Sequence, residues 1–576
     1  MNREPVLKRR LTQAAVIVGL AAFTLLVRIP YLHIPLERDE GEYAYIAWRM
    51  DQGELPYRDV FDQKPPGTFL IYWLTMKTLG GSATDFHLAG TAFVIVEIVL
   101  VYLLALRYVR RWIALGGAML GAWVTAGCVM QGYGANTETF GAPFIVLTVL
   151  LALWGRDHRS GALFFLSGLA VGVGSLMKQP IALFVLVPLL LAWRDYGRGA
   201  DGTVSFIRPV LVGLGALTAW APVLVWFTLA GGISDMVYCV ILHNMDYAHG
   251  LPGSAVSFLV RSRFGRLAPA YGCLILLALW GGLRRGLSRG EDGWTLVVWM
   301  AVSVVVVTTG MRLFFHYFLM AAPAFLVAAI VAFEDLWRRI ARLSWGPLVG
   351  TPLVLAVLFF PLAADVRYDG PGRGLFGFSL NLHYEPLFDA SPQIARWVRD
   401  LTRPDETVLI FGSEPQVPYY AERRSATRHI LFDPLFGPYK RAPQFQIEVQ
   451  DDVKRLNPPV IVEFRLAGSL NLTPDSNLGL LNFMGELLDS HYVPVAGADV
   501  LSRQFGYYLG PVQLDRYMQP VMREARQLRA SGRSYDEVQQ FIERNKPMVL
   551  VYLRADLLQR LPRDWKQDVS SPPPGS

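Results

Sequence analysis

Apolar stretches of roughly 16–22 residues recur along the first two thirds of the chain, and each is long enough to cross about 30 Å of hydrocarbon as a helix. In lipid every backbone amide must find its partner inside the protein, so such stretches cross as helices. The expected spans are Leu11–Val27, Leu88–Tyr108, Ile113–Met130, Phe140–Trp154, Leu163–Leu176, Ile181–Trp193, Pro209–Ala230, Leu267–Leu283, Trp294–Thr309, Tyr317–Phe333 and Trp345–Ala364, about eleven in all. The composition agrees, with 53% hydrophobic residues and a mean hydropathy of +0.32. After Ala364 charges, prolines and short alternating patterns take over. The expectation is a polytopic α-helical membrane protein with a C-terminal soluble α/β domain. The membrane domain covers 1–364 with a long first outer loop at 28–87, the soluble domain 365–565, and a disordered tail 566–576.

The net charge of +7 does not point to nucleic acid, because the basic residues cluster between apolar stretches. There they orient a membrane protein. With the N-terminus in the cytoplasm, the inner connections become Arg107–Arg111, Gly155–Ser160, Arg194–Arg208, Arg284–Gly293 and Glu334–Ser344. Together with the tail they hold about eighteen Lys and Arg, as the positive-inside rule requires. The basic stretch Met1–Arg10 precedes an apolar run without a small-residue cleavage site, so an uncleaved first span is expected. An odd number of spans puts the C-terminal domain outside the cytoplasm. Cys128, Cys239 and Cys273 form no metal-type or CxxC spacing and no disulfide framework.

This orientation gathers the chemically unusual connections on the outer face: Arg28–His87, Gln131–Glu138, Met177–Pro180, Gly231–Arg266 and Gly310–His316. The first, about sixty residues long, is too long for a passive turn. Within it Tyr43, Ile46, Ala47 and Met50 fall on one helical face, which predicts a helix lying on the membrane surface. Asp39 and Glu40 stand at its start. The plain structural reading makes Asp39 an N-cap with Glu42 completing a capping box; the functional reading makes it a positioned carboxylate. Gly53 would stop the helix. Lys64-Pro65-Pro66-Gly67 then leads into a short apolar helix, Thr68–Leu79, too short to span.

Glu138 stands at the mouth of the fourth span and Lys178 closes the fifth. Ionisable groups at membrane depth are costly, and are usually paired or functional. Arg312 and His316, four apart, are expected to share a helical face. With Lys64 and Lys178 they would line a cationic pocket suited to phosphate. His243 and His316 sit in no metal-ligand spacing, so no metal or other cofactor is expected; ligand spacing does not support a divalent cation.

The ordered series Arg38-Asp39-Glu40-Gly41-Glu42-Tyr43, Gly53, Pro56-Tyr57, Lys64-Pro65-Pro66-Gly67, Glu138, Lys178 and Arg312–His316 resembles the polyprenyl-phosphate-sugar-dependent glycosyltransferases of the GT-C fold. That group includes protein O-mannosyltransferases and the aminoarabinose transferases that modify lipid A. The resemblance covers the membrane domain to about Phe333. It implies a polyprenyl-phosphate-linked sugar donor entering from the lipid bilayer. It implies a cell-envelope acceptor (glycan, lipid or protein) on the outer side and inversion at the anomeric carbon. Asp39 matches the family's first-loop acid, with Glu40 adjacent; Lys64 matches the family's KPP lysine, which lies near the donor phosphate, and Lys178 matches a lysine after the fifth span. Glu138 stands where many relatives have Asp. Gln63 stands where the aminoarabinose transferases tend to carry Glu, a departure from a lipid A role. The implied catalytic residues are Asp39, Glu40 and Glu138. The donor phosphate would be held by Lys64, Lys178, Arg312 and His316.

The C-terminal pattern predicts a helix at Ser391–Leu401, strands at Thr407–Phe411, Val460–Phe464 and Tyr492–Val495, and helix over Gln513–Pro562. This alternation fits a doubly wound or three-layer unit. No GxGxxG or P-loop is present. The plasma (inner) membrane of a bacterium is the expected location, since no eukaryotic retention signal occurs. A lipid transporter or flippase is the competing reading, but no internal repeat supports it.

Overall fold

The apolar stretches fold as helices whose lengths match a bilayer. In the computed structural model the described residues are 6–194, 206–249, 253–287, 291–343, 386–472, 476–499, 506–531 and 533–566, with single positions between 344 and 363. The helices before that gap are α1 (Val6–Arg28), α2 (Arg38–Asp51), α3 (Gly67–Leu79), α4 (Ala83–Ala105), α5 (Arg111–Ala126), α6 (Thr137–Asp157), α7 (Gly161–Met177), α8 (Leu186–Arg194), α9 (Ile207–Leu229), α10 (Ile233–Val237), α11 (His243–His249), α12 (Gly253–Leu287), α13 (Glu291–Thr308) and α14 (Ala322–Ile340). Five of the described helices, α1, α4, α6, α9 and α12, are long and apolar enough to cross a membrane, and three shorter apolar ones accompany them. The chain is a multi-pass membrane protein. The expected eleventh span falls almost wholly outside the described residues, as do the boundary at 365 and the tail beyond 566.

Small residues set the helix packing. A Cβ on Gly168 or Gly215 would overlap the backbone of the facing helix, so α7 and α9 pack backbone to backbone. In lipid, close contact of this kind replaces the hydrophobic drive that water would supply. Three expected spans are not single α-helices: α5 ends at Ala126 and Cys128–Met130 is a 3-10 turn, and two further spans open with such turns. Gln179–Val185 is a 3-10 turn before α8, and Phe315–Met320 is another before α14. A proline enters both of these latter junctions, Pro180 and Pro323, and its missing N–H and fixed φ favour a break there.

The described chain divides into two compact units: Met1–Ile34 with Gln63–Tyr384, and Pro35–Asp62 with Glu385–Ser576. The sequence reading kept all of 28–87 with the membrane helices. In the structure residues 35–62 fold as part of the C-terminal unit. The apolar face of α2 is therefore not laid on lipid: Tyr43, Ile46 and Ala47 are buried. Gly41 lies so close to Gln416 that a Cβ would fall 2.5 Å from the Gln416 amide nitrogen. The Tyr45 hydroxyl accepts the Ser425 N–H at 2.7 Å, and the Phe61 N–H donates to the Arg428 carbonyl at 2.9 Å.

The C-terminal unit carries a sheet of β1 (Thr407–Phe411), β2 (Arg424–Ser425), β3 (Val460–Phe464), β4 (Tyr492–Asp499), β5 (Gly506–Leu509) and β6 (Val549–Arg554), in the order β2-β1-β3-β6-β4-β5. β1 runs parallel to β2 and β3; the remaining pairings are antiparallel. The sheet is thus mixed, and β6 corrects the expectation of helix over Gln513–Pro562. Helices do occupy Gly510–Ala530 and Tyr535–Arg544, but Val549–Arg554 inserts between β3 and β4. Its five residues Val549–Leu553 are all buried. A short continuous apolar run has no periodicity that separates buried strand from buried helix.

Candidate active site

The first-loop acids are set by how α2 begins. The helix starts at Arg38, whose guanidinium donates to the Ser413 carbonyl at 2.6 Å and pairs with Glu414 at 2.8 Å. The cap is therefore Glu37, with Glu40 as the third helical residue completing the capping box. Glu40 Oε2 accepts the Glu37 N–H at 3.1 Å. This corrects the Asp39–Glu42 cap of the sequence reading. Asp39 is the second helical residue, half-buried, at the helix end where a negative charge is favoured. Glu40 is buried beneath it. Nearby the Tyr420 hydroxyl accepts the Leu36 N–H at 2.7 Å. Burial pushes the Tyr420 phenol well up and the Glu40 charge adds to this, so Tyr420 stays protonated.

In the membrane unit, α6 and α7 are antiparallel neighbours, so the start of α6 meets the end of α7. Glu138 is in the first turn of α6, and Lys178 is the extended residue that ends α7. Their side chains form a buried ion pair, Lys178 Nζ on Glu138 Oε1. The other carboxylate oxygen accepts the Thr137 hydroxyl at 2.9 Å. His316 Nε2 stands 3.9 Å from Glu138 Oε1, and its Nδ1 lies 3.4 Å from Gln131 Oε1. Lys178 Nζ also rests 3.6 Å from the centre of the Tyr317 ring, a cation–π contact.

The Lys64 segment is tied to the same corner. The carbonyl of Gln63 accepts from Gln179 Nε2 at 2.6 Å and from Asn244 Nδ2 at 2.7 Å. Gln179, just after α7, and Asn244, in the first turn of α11, thus hold the backbone just before Lys64. A Cβ on Gly67 would fall 2.5 Å from the Leu176 carbonyl, so only glycine lets α3 start this close to α7. Asn244 also bonds the carbonyls of Cys239 and Val240, each at 3.1 Å. These carbonyls belong to a π-helical turn, Tyr238–Leu242. Such turns are frequent at functional sites.

Arg312 and His316 do not share a helical face. Gly310, Met311 and Leu313 have φ of +78°, +54° and +49°, so the chain around Arg312 is irregular and His316 belongs to the 3-10 turn that follows. The structure brings Glu138, Lys178 and His316 together and anchors the Lys64 backbone beside Lys178. Asp39 and Glu40 belong to the other unit. Sequence reasoning did not select Gln179, Asn244, Gln131 or Tyr317. Each lies within or beside a quoted segment, but a neutral amide or ring carries no charge signal. It also passed over Arg263 and Arg266, whose guanidiniums lie 4.4 and 4.7 Å from the Phe315 ring centre. Among the described residues no three His, Cys, Asp or Glu side chains gather closely enough to hold a metal ion.

A multi-pass helical bundle with a long loop after its first helix and a C-terminal α/β unit is the architecture of the GT-C glycosyltransferases, and this chain has that fold. The family model of dolichyl-phosphate-mannose-protein mannosyltransferases matches residues 63–226. The oligosaccharyltransferase AglB from Archaeoglobus fulgidus, solved with an inhibitory peptide and a dolichol-phosphate, is similar with a TM-score of 0.58 and 14% identity, over 95% of this chain and 89% of that one. ArnT from Cupriavidus metallidurans in the apo state is similar with a TM-score of 0.52 and 18% identity, over 83% of this chain and 96% of that one. Among curated proteins none matches the sequence significantly.

Proposed function

We propose that the chain is a membrane glycosyltransferase moving a sugar from a polyprenyl-phosphate donor to a hydroxyl of a cell-envelope acceptor, on the outer side of the membrane. The observation that carries this reading is the cluster of buried Glu138 and Lys178 with the partly buried His316, joined through the Gln63 carbonyl to the Lys64 segment, within a GT-C bundle.

The acceptor hydroxyl oxygen forms a bond to the anomeric carbon as the bond from that carbon to the phosphate oxygen breaks. Configuration inverts. The hydroxyl proton passes to a carboxylate, Asp39, because a hydroxyl is a weak nucleophile without a base. Polyprenyl phosphate leaves with an added negative charge, which Lys64 and Lys178 stabilise, with Arg312 and His316 contributing. Glu138 orients Lys178, and Glu40 holds the start of α2 that carries Asp39.

Asp39→Asn tests the base. Asn keeps the shape and the helix, but cannot take a proton. Turnover of a polyprenyl-phosphate sugar is expected to fall at least about a hundredfold with expression and thermal stability nearly unchanged. A dead Glu40→Gln beside a normal Asp39→Asn would move the role by one residue. Near-normal turnover in both would remove the first-loop acids from the chemistry.

A further inference from the structure

An apolar slot lies one helix length from the Glu138 cluster. α14 starts just after the turn that carries His316 and runs for 19 residues to Ile340. At 1.5 Å per residue its far end is about 28 Å away. α5 likewise runs away from the Gln131 end, which touches His316. Between the far ends of α5 and α14 and the flank of α12 is a cavity of about 350 Å³. Its walls include Trp112, Gly116, Leu274, Ile330, Phe333 and Trp337. Gly117 and Gly121 bring α5 onto Ile330 and Leu326 of α14. Gly116 is different: among the described residues nothing lies within 4 Å of where its Cβ would stand.

The mouth of this slot is basic and aromatic. Arg110 Nε lies 2.8 Å from Glu334 Oε1, and Arg338 pairs with the same oxygen. Glu334 is buried, whereas the Arg110 and Arg338 side chains remain about half exposed. Arg110 also lies 5.2 Å from the Trp112 ring centre, and the Trp112 and Trp337 rings meet edge to face at 6.2 Å. Arg111 and Arg339 are exposed beside them, and the next acid, Asp335, is taken by Arg285 at 3.2 Å. Among the described residues one carboxylate thus stands against four arginines at the end of an apolar slot.

We propose that this slot binds an anionic phospholipid of the bilayer, one acyl chain between α5, α12 and α14 and the phosphate on Arg110 and Arg338. Guanidinium forks match phosphate oxygens, tryptophans favour the depth at which headgroups begin, and basic pockets between spanning helices take acidic headgroups. The proposal does not depend on the transferase reading.

The test uses the full-length protein in bilayer discs of phosphatidylcholine, alone or mixed with phosphatidylglycerol. Thermal unfolding and the mass of lipid retained after transfer to detergent are measured. The wild type should retain phosphatidylglycerol in preference to phosphatidylcholine and unfold at a higher temperature with it. Gly116→Leu fills the slot. The triple variant Arg110→Gln/Glu334→Gln/Arg338→Gln removes the cations without stranding a buried carboxylate. Each should cut phosphatidylglycerol retention at least tenfold and abolish the lipid-dependent rise. Equal retention of both lipids by the wild type, or undiminished phosphatidylglycerol in Gly116→Leu, would overturn the proposal. So would retention of polyprenyl phosphate in place of phospholipid. A fall in stability of Gly116→Leu that is the same in every lipid would mean protein fills the slot, which also overturns it.

Discussion

Lys178 has its charge met by the Glu138 carboxylate and the Tyr317 ring, among its partners, in a nearly closed setting. Removing one partner of a buried ion pair strands the other, at a cost of about 3–5 kcal/mol, whereas removing both costs far less. Lys178→Met should therefore lower the unfolding temperature of the purified protein clearly more than Lys178→Met/Glu138→Gln does. Both variants should lose donor turnover, since neither keeps the cation. Equal unfolding temperatures for the two would show that the pair is not closed off from water. Glu138 and Lys178 were legible in the sequence because charge at membrane depth is conspicuous. Their pairing was not, since 40 residues separate them along the chain. Asn244 and Gln179, which hold the Lys64 backbone, gave no such signal.

At the scale of the element, the segment after α2 is clasped by a charged cluster of the C-terminal unit. Arg428 pairs with Glu448 at 2.9 Å and donates to the Tyr57 carbonyl at 3.3 Å. The buried His429 donates through Nε2 to Glu448 at 3.1 Å and packs against Phe61 and Phe445. Burial alone would raise the Glu448 carboxyl, but the His429 hydrogen bond and the Arg428 charge outweigh it and hold it down to about 2. Burial pushes the His429 imidazole below its ordinary 6.5, against the pull of Glu448. Both groups thus have depressed values in the folded state. Their stabilisation is complete above the unfolded values and is lost as pH falls, from about 6.5 for His429 and from about 4.5 towards 2 for Glu448. Amide exchange at residues 55–62 should accelerate as pH is lowered from neutral to about 4, after correction for intrinsic rates. Glu448→Gln should raise exchange at neutral pH and flatten the pH dependence. An unchanged pH profile in that variant would remove Glu448 from the clasp.

At the scale of the whole molecule, residues 35–62 and 386–566 make one folding unit from two distant pieces of chain. The Leu36–Tyr420 hydrogen bond spans 384 positions. Expressed alone, 386–566 would lose the bonds that Glu414, Ser425 and Arg428 make to residues 35–62. It should be markedly less stable to urea than the same region fused by a flexible linker to 35–62. Equal urea midpoints would show that the first loop adds nothing to the domain. The orientation proposed from the basic connections is checked by reporter fusions. Those after Arg111, Arg208 and Arg339 should read cytoplasm; those within Asp51–Asp59 and after Asp405 should read outside. A cytoplasmic signal after Asp405 would reverse the orientation of the soluble unit.

The membrane helices, the helix of the first loop and the strands at 407–411 and 460–464 follow from the sequence because their causes are local. Span length answers to bilayer thickness, and periodicity and proline placement act over a few residues. The true cap of α2, the docking of its apolar face and the strand at 549–554 were decided only by tertiary structure. An amphipathic helix shows that it must bury one face, but lipid and protein satisfy that need equally, so the pattern cannot say which covers it. Likewise an apolar run of five residues becomes a strand only because β3 and β4 present unpaired edges on either side of it. The joining of Glu138, Lys178 and His316 has the same origin: each position was visible singly, and packing between distant segments made them a cluster.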